Sequence, residues 1–385
     1  MPLADAFRVP GEGPEPEPRY PLAVSRCTSC GLVQLVDVVD PALMFGEGYL
    51  YLSSSTDGLV RSAAELAGLL IEQRRLGGES LVVEIASNDG VLLEQFARRG
   101  VPVLGIEPAA AAAAAAEARG IPTVREFFGA ELAAGLRADG VRADVVVANN
   151  VLAHTPDPNG FVRGLALLLA DDGVASIEVQ YLRDLLELCA FDTIYHEHVS
   201  YFSCAAARRL LDRHALVLRH VERVPRQGGS LRLTCARGGL EDGSVRSLLE
   251  QERDAGLGDP RTFAGFSARV DALVGELRAM LARLHGEGLR LAAYGAAAKG
   301  TILLNALGVE PGLVEFVADR NPRKQGRLVP GVGTPIRDPD ALVAELPDVA
   351  LLLAWNLEQE VLAQQAEYRR RGGRFLVPIP RPRLV

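Results

Sequence analysis

The sequence predicts an α/β protein in which one strand–turn–helix–strand–acid unit occurs twice. The first copy is the apolar run Leu81–Ala86, the turn Ser87-Asn88-Asp89-Gly90, a helix Val91–Arg99 and a strand Val101–Ile106 that ends in Glu107. The second is Leu289–Tyr294, the turn Gly295-Ala-Ala-Ala-Lys299-Gly300, a helix Thr301–Leu307 and a strand Leu313–Ala318 that ends in Asp319. Short unbroken apolar runs mark strands buried on both faces of a parallel sheet. The acid follows the last glycine of the turn by 17 residues in the first unit and by 19 in the second. That interval brings a carboxylate to a ribose in doubly wound nucleotide-binding domains. The expected architecture is two tandem Rossmann-like doubly wound domains, preceded by a small, truncated zinc-ribbon-like segment. The expected boundaries are 1–55, 56–238 and 239–385.

Composition narrows the function. A chain of 385 residues with 48% hydrophobic and 23% charged residues reads as an ordinary globular protein with ample core. A net charge of -8 argues against nucleic acid, whose phosphates need a basic face. No basic stretch followed by an apolar run opens the chain, and no apolar run is long enough to span a bilayer. Five cysteines, an odd count, fit a reduced protein. The expectation is a cytoplasmic monomer with a small-molecule substrate and neither a membrane nor a nucleic-acid partner.

Residues 1–20 are rich in Pro, Glu and Gly and offer little to build an element from. Cys27-Thr-Ser-Cys30-Gly then sits between two short apolar strands, a turn that lets two thiolates converge on one tetrahedral metal. Zinc needs two more ligands, and no second Cys pair lies nearby. A helix is expected over 57–75, stopped by Gly77-Gly78. The first turn lacks the full Gly-x-Gly-x-x-Gly of a dinucleotide site, so an adenosyl group without phosphate fits better, which points to S-adenosylmethionine. Asp144–Asn150 reads as another buried strand. Asn149, Asn150 and His154 follow it at the carboxyl edge, where ligands of open α/β sheets bind. Helix Pro158–Leu169, a turn at Asp171-Asp172-Gly173 and strand Val174–Val179 come next. After them are expected a helix over 207–218, strands Val217–Arg223 and Leu231–Cys235, and a charged helical linker over 241–286. In the second unit Lys299 stands in the helix-opening turn, where a cation and backbone N–H groups can hold a phosphate. Lys324 adds positive charge nearby.

Between the two units lies Thr193-Ile-Tyr195-His196-Glu197-His198-Val-Ser-Tyr201-Phe202. It places two imidazoles, a carboxylate and two phenols within seven positions of a chain with six histidines and eight tyrosines. These groups can abstract a proton, polarise a carbonyl or hold a metal. If the stretch is a strand, His196 and His198 share one face and Glu197 points away. A metal-dependent hydrolase with His196, Glu197 and His198 as ligands is one alternative, weakened because only the two histidines would then converge, and a non-catalytic sugar-nucleotide-binding protein is another.

The motifs Cys27–Gln34, Glu84-Ile-Ala-Ser-Asn-Asp-Gly90, Ala148–His154, Tyr195-His-Glu-His198, Gly228–Arg232 and Tyr294–Gly300 together resemble those of the nucleotide-sugar C-methyltransferases. These are three-domain enzymes that add methyl branches to deoxysugars of natural products, and the resemblance covers essentially the whole chain. It implies an N-terminal zinc motif with Cys27 and Cys30 as ligands, a middle S-adenosylmethionine domain and a C-terminal domain, with the nucleotide-sugar between the last two. It implies His198 as general base, with Tyr195, Glu197, His154 and Tyr49 as further active-site groups. Glu84, Ala86, Asn88, Asp89, Gly90, Glu107, Asn149 and Asn150 are expected around the cofactor. His196, Tyr201, Lys299, Asp319 and Lys324 are expected around the substrate, with Lys299 on its diphosphate. Two positions depart from the family pattern. The first Cys pair of the family precedes a Pro-Leu-Ala-x-Ala-Phe segment, and this chain opens on that segment, Pro2–Phe7. Half of the zinc site is expected to be missing, through an upstream start or through loss of zinc. Ala86 replaces the first glycine of the cofactor loop, where a methyl group crowds close backbone approach.

Overall fold

The computed structural model describes residues 1–12, 16–45, 52–55, 57–225 and 228–385. Strands β1 (Val24–Arg26) and β2 (Val33–Leu35) form an antiparallel hairpin around the two cysteines. The turn closes by Gly31 N–H to the Cys27 carbonyl at 2.9 Å. Ahead of the hairpin, the first residues pack on the far end of the chain. Ala4 and Phe7 are buried, Arg8 bridges Leu328, and the Thr301 hydroxyl donates to the Ala4 carbonyl at 2.9 Å. Residues 1–12 thus dock through backbone bonds and the buried Ala4 and Phe7 side chains rather than through an element of their own.

The middle sheet is built from β3 (Val82–Ile85), β4 (Val103–Ile106), β5 (Thr123–Val124), β6 (Ala143–Asn149) and β7 (Leu169–Gln180). All five run parallel. The next strand, β8 (Ser200–Tyr201), leaves this sheet and pairs antiparallel with β2 of the hairpin. Strands β9 (Val217–Val224) and β10 (Ser230–Ala236) return, β10 lying antiparallel between β7 and β9. The order is β5-β4-β3-β6-β7-β10-β9, a doubly wound sheet with an antiparallel edge pair. The expected turn at Asp171–Gly173 is instead part of β7. The strand begins at Leu169 and bulges against Ala143, where Gly173 leaves no room for a side chain. The helix expected over 207–218 is Cys204–Asp212, and Ala215 takes a positive φ before β9.

Helices Gly243–Asp254 and Pro260–Gly286 form the charged linker. Six strands follow: β11 (Leu291–Tyr294), β12 (Val317–Ala318), β13 (Ile336–Arg337), β14 (Val349–Leu352), β15 (Arg374–Val377) and β16 (Arg383–Leu384). Their order, β13-β12-β11-β14-β15-β16, is again doubly wound, parallel except for the edge strand β16. One apolar core joins this sheet to Leu182–Phe191 of the middle part and to Phe7, so the carboxyl ends of the two sheets face one another across a shared floor. Among the described residues no helix is long and apolar enough to cross a membrane.

Candidate active site

A cavity of about 1340 Å³ opens between the carboxyl ends of the two parallel sheets. On one wall stand Glu84, Ala86, Ser87, Asn88, Glu107, Asn149, Asn150, Glu178 and Gln180, on the other Gly295–Lys299, Asp319 and Lys324, and between them Tyr195, Glu197, His198 and His154. This is the switch-point position at which open α/β sheets take their ligands.

The loop after β3 is a chain of constrained residues. Ala86 and Asn88 both hold positive φ, +54° and +50°, as does Gly90. Glu107 locks this loop, accepting N–H bonds from Asn88 at 2.9 Å and Ala109 at 2.8 Å. Burial raises the Glu107 carboxyl above its ordinary range. Glu84, at the end of β3, is pushed further up by burial and by the neighbouring carboxylates of Glu107 and Asp89, and its Oε2 is buried without a partner. The Oδ1 atoms of Asn149 and Asn150 are likewise buried and unpaired. Such unmet polar groups fit a ligand that brings hydroxyls and an amine.

Two residues expected at the cofactor face elsewhere. Asp89 is not on the cavity wall; it meets Arg119 at 3.4 Å and accepts the Ser54 N–H at 3.3 Å. Gly90 also lies behind the wall, and a side chain there would press on Ala116 and Ile121 at 3.1 Å. Its glycine is explained by helix packing together with positive φ. Asn88 stays on the wall, although its Oδ1 accepts the Ser53 N–H at 2.8 Å.

The Tyr-His-Glu-His stretch is a turn, not a strand. The His198 N–H closes it on the Tyr195 carbonyl at 2.9 Å, so the strand geometry expected for the two histidines does not apply. They diverge. His196 donates from Nε2 to the Pro21 carbonyl at 3.0 Å, packs edge-on against Tyr20 and does not reach the cavity. His198 donates from Nδ1 to the Thr193 carbonyl at 2.8 Å, because a carbonyl only accepts. Its Nε2 is therefore unprotonated, and Tyr195 Oη donates to it at 2.8 Å. Burial, the neighbouring His154 and Lys299 hold the imidazole well below its ordinary pKa, so it is neutral at physiological pH. His154 lies 5.0 Å from the His198 ring and stacks on Phe45, and burial takes it down to about 4. Tyr201 is buried behind His198, edge-on at 6.4 Å and off the cavity wall. Glu197 lines the cavity, its carboxyl raised by burial and by Asp5. Tyr49 lies outside the described residues.

From the C-terminal sheet, Asp319 accepts the N–H groups of Ala296 at 2.6 Å and Asn321 at 2.8 Å, fixing the turn after β11. Lys324 donates to the Ala296 carbonyl at 2.7 Å and lies 3.6 Å from Asp5 and 4.5 Å from the Phe7 ring. Four wall or floor groups were not singled out in the sequence: Asp5, Glu178, Asp192 and Trp355. Glu178 had a visible signal, a lone charge within the apolar run Val174–Val179; it pairs with Arg232 at 2.9 Å.

Cys27 and Cys30 sit together in the hairpin turn, and backbone N–H groups of Cys30 and Ser29 draw the Cys27 thiol down to about 7. Among the described residues no third His, Cys, Asp or Glu joins them. Two thiols supply half of a structural zinc site, so the residues present do not fit a complete one.

Residues 62–221 match a family model described as "Methyltransferase domain", residues 225–380 one described as "C-methyltransferase C-terminal domain", and residues 1–45 one described as "Putative zinc binding domain". A relative, the C-methyltransferase NovU of Streptomyces niveus, is 35% identical over 372 residues, covering 96% of this chain and 88% of that one. The chain belongs to the C-methyltransferase family. This C-methyltransferase is S-adenosylmethionine-dependent. Among solved structures it is similar to magnesium protoporphyrin IX methyltransferase from Synechocystis PCC 6803, at 17% identity and a TM-score of 0.37, covering 47% of this chain and 80% of that one. It is also similar to 1,6-didemethyltoxoflavin-N1-methyltransferase of Burkholderia thailandensis, at 17% identity and a TM-score of 0.38, covering 55% and 98%.

Proposed function

We propose that the C-methyltransferase methylates a carbon next to the ketone of a nucleotide-linked sugar, a thymidine-diphosphate 4-keto-deoxyhexose, by way of an enolate. The observation that carries this reading is the His198 imidazole: neutral, fixed in one tautomer by the Thr193 carbonyl, and on the wall of the shared cavity with its unprotonated Nε2 held by the Tyr195 hydroxyl. A ketone acidifies the adjacent C–H, and a neutral imidazole is the side chain suited to remove that proton near neutral pH. The C–H takes the place at Nε2 that the Tyr195 hydroxyl now fills, which frees Tyr195 to hydrogen-bond the sugar. His154 and Glu197 border the same space.

S-adenosylmethionine, when bound, supplies the electrophilic methyl group. Glu107, at the end of β4, is the group for the adenosine ribose, and Glu84, Asn149 and Asn150 offer their unpaired oxygens to the rest of that molecule. The opposite wall, with Asp319 and the turn Gly295–Ala298, faces the nucleotide-sugar.

The test is mass spectrometry of the protein incubated with S-adenosylmethionine and a panel of thymidine-diphosphate keto-deoxyhexoses. A sugar nucleotide heavier by one methylene, formed with S-adenosylhomocysteine, is the expected result. Cofactor binding without a methylated product from any keto sugar would sink the proposal.

A further inference from the structure

Lys299 is the second residue of helix Ala298–Leu307, and its side chain reaches Trp355. It reaches to the junction of the two sheets. Its stem is half-buried on the cavity wall, while Nζ itself is buried and, among the described residues, without a hydrogen-bond partner. The ammonium stands 4.7 Å over the Trp355 ring. Trp355 donates its indole N–H to Asp192 Oδ2 at 2.7 Å, and Asp192 is wholly buried in the short helix Phe191–Thr193. The last residue of that helix is the one whose carbonyl orients His198. Cation and base are therefore held on one frame beside one cavity.

We propose, resting on the reaction above, that Lys299 is a catalytic residue whose ammonium faces the ketone oxygen and the enolate charge that forms there. When His198 Nε2 takes the proton from the carbon, the C–H electron pair becomes the carbon–carbon double bond and the carbonyl pair moves onto oxygen. When the new carbon–carbon bond forms, the pair returns to the carbonyl, and the S–CH₃ pair stays on sulfur. Lys299 offsets one unit of negative charge on oxygen between these events. Charge count favours this over a diphosphate clamp. The Lys299 ammonium carries one charge, so the site is matched to a single developing charge in a dry setting, where a fixed cation acts most strongly. A diphosphate carries more charge than one such cation answers and is better met by several donors, such as backbone N–H groups at a helix start. Lys324 is not an alternative, being committed to the Ala296 carbonyl and Asp5.

The test separates the two steps. Deuterium uptake from heavy water into the keto sugar, with S-adenosylhomocysteine bound, reads enolate formation without methyl transfer. Lys299→Met should slow both deuterium uptake and turnover about 100-fold, the usual scale for losing one oxyanion partner. Its affinities for thymidine diphosphate and S-adenosylhomocysteine should stay within about twofold of the parent, which also shows that it folds. Lys299→Arg keeps the charge and should recover part of the uptake, which decides the matter if the methionine variant does not fold. Unchanged uptake with about tenfold weaker thymidine diphosphate binding would overturn the assignment in favour of the diphosphate. If the parent protein neither exchanges deuterium nor methylates any keto sugar, the reaction itself is wrong and the assignment falls with it.

Discussion

Trp355 donates its indole N–H to the Asp192 carboxylate at 2.7 Å, and this bond ties the C-terminal sheet to the turn that leads to His198. Trp355→Phe keeps the apolar ring and removes the donor. The buried carboxylate then lacks a partner, which costs about 1–3 kcal/mol. Burial holds Asp192 up at about 6, above its ordinary value of 3.8. The folded chain thus binds this proton more tightly than the unfolded one. The stability this group contributes is largest below its ordinary pKa and is lost as pH rises through about 6. The Trp355→Phe penalty should accordingly be larger at pH 7.5 than at pH 5, ~2.5 units below, when read by thermal denaturation at both values.

His198→Asn should fold and bind cofactor while losing at least about 100-fold in turnover. Because burial holds the parent imidazole well below the ordinary histidine range, its base form persists as pH falls. The acid limb of the turnover profile should therefore lie below about 6.5, the ordinary histidine value. A limb at or above that value would mean that another group sets it.

Tyr195→Phe preserves the ring packed 3.9 Å from the His198 ring but removes the O–H that Nε2 accepts. A donor to Nε2 favours the neutral imidazole, so its loss raises the His198 pKa and shifts the acid limb to higher pH. Turnover at neutral pH should fall about tenfold, the scale of one hydrogen bond to a reacting group. A pH profile of the variant checks both.

Ala86 holds a φ of +54°, a conformation that costs an alanine roughly 1 kcal/mol. Ala86→Gly relieves that strain, partly offset by the greater freedom of glycine in the unfolded chain. The expected outcome is equal or higher thermal stability and S-adenosylhomocysteine binding that is unchanged or tighter by up to about tenfold in a calorimetric titration. Weaker binding would show that the alanine methyl contacts the ligand.

The parallel strands were legible because burial on both faces leaves uninterrupted apolar runs, and Val82–Ile85, Val103–Ile106 and Leu291–Tyr294 lie within the segments read from sequence. What stayed hidden depends on distant partners. Nothing in the run 195–198 itself announces a turn, which is held by the bonds of His198 to Tyr195 and Thr193 and of His196 to Pro21. The ordered start of the chain was invisible because its partners, Thr301 and Leu328, lie some three hundred residues away and engage its backbone. Glu107, Asn149 and His198 were readable from position alone, at strand ends or in a dense polar run. Asp192 and Trp355 were not, since an isolated acid and a single tryptophan carry no spacing until the two sheets meet.

The short strand β8 has a mechanical consequence. Ser200 and Tyr201 are paired to the cysteine hairpin, the Val199 carbonyl accepts the Leu35 N–H at 2.9 Å, and the turn just before them belongs to the floor between the sheets. The imidazole at position 198 is therefore slung between two bodies like the middle of a bridge. A tilt of the hairpin against the large sheet displaces the ring directly, with no side-chain rearrangement needed to relay it.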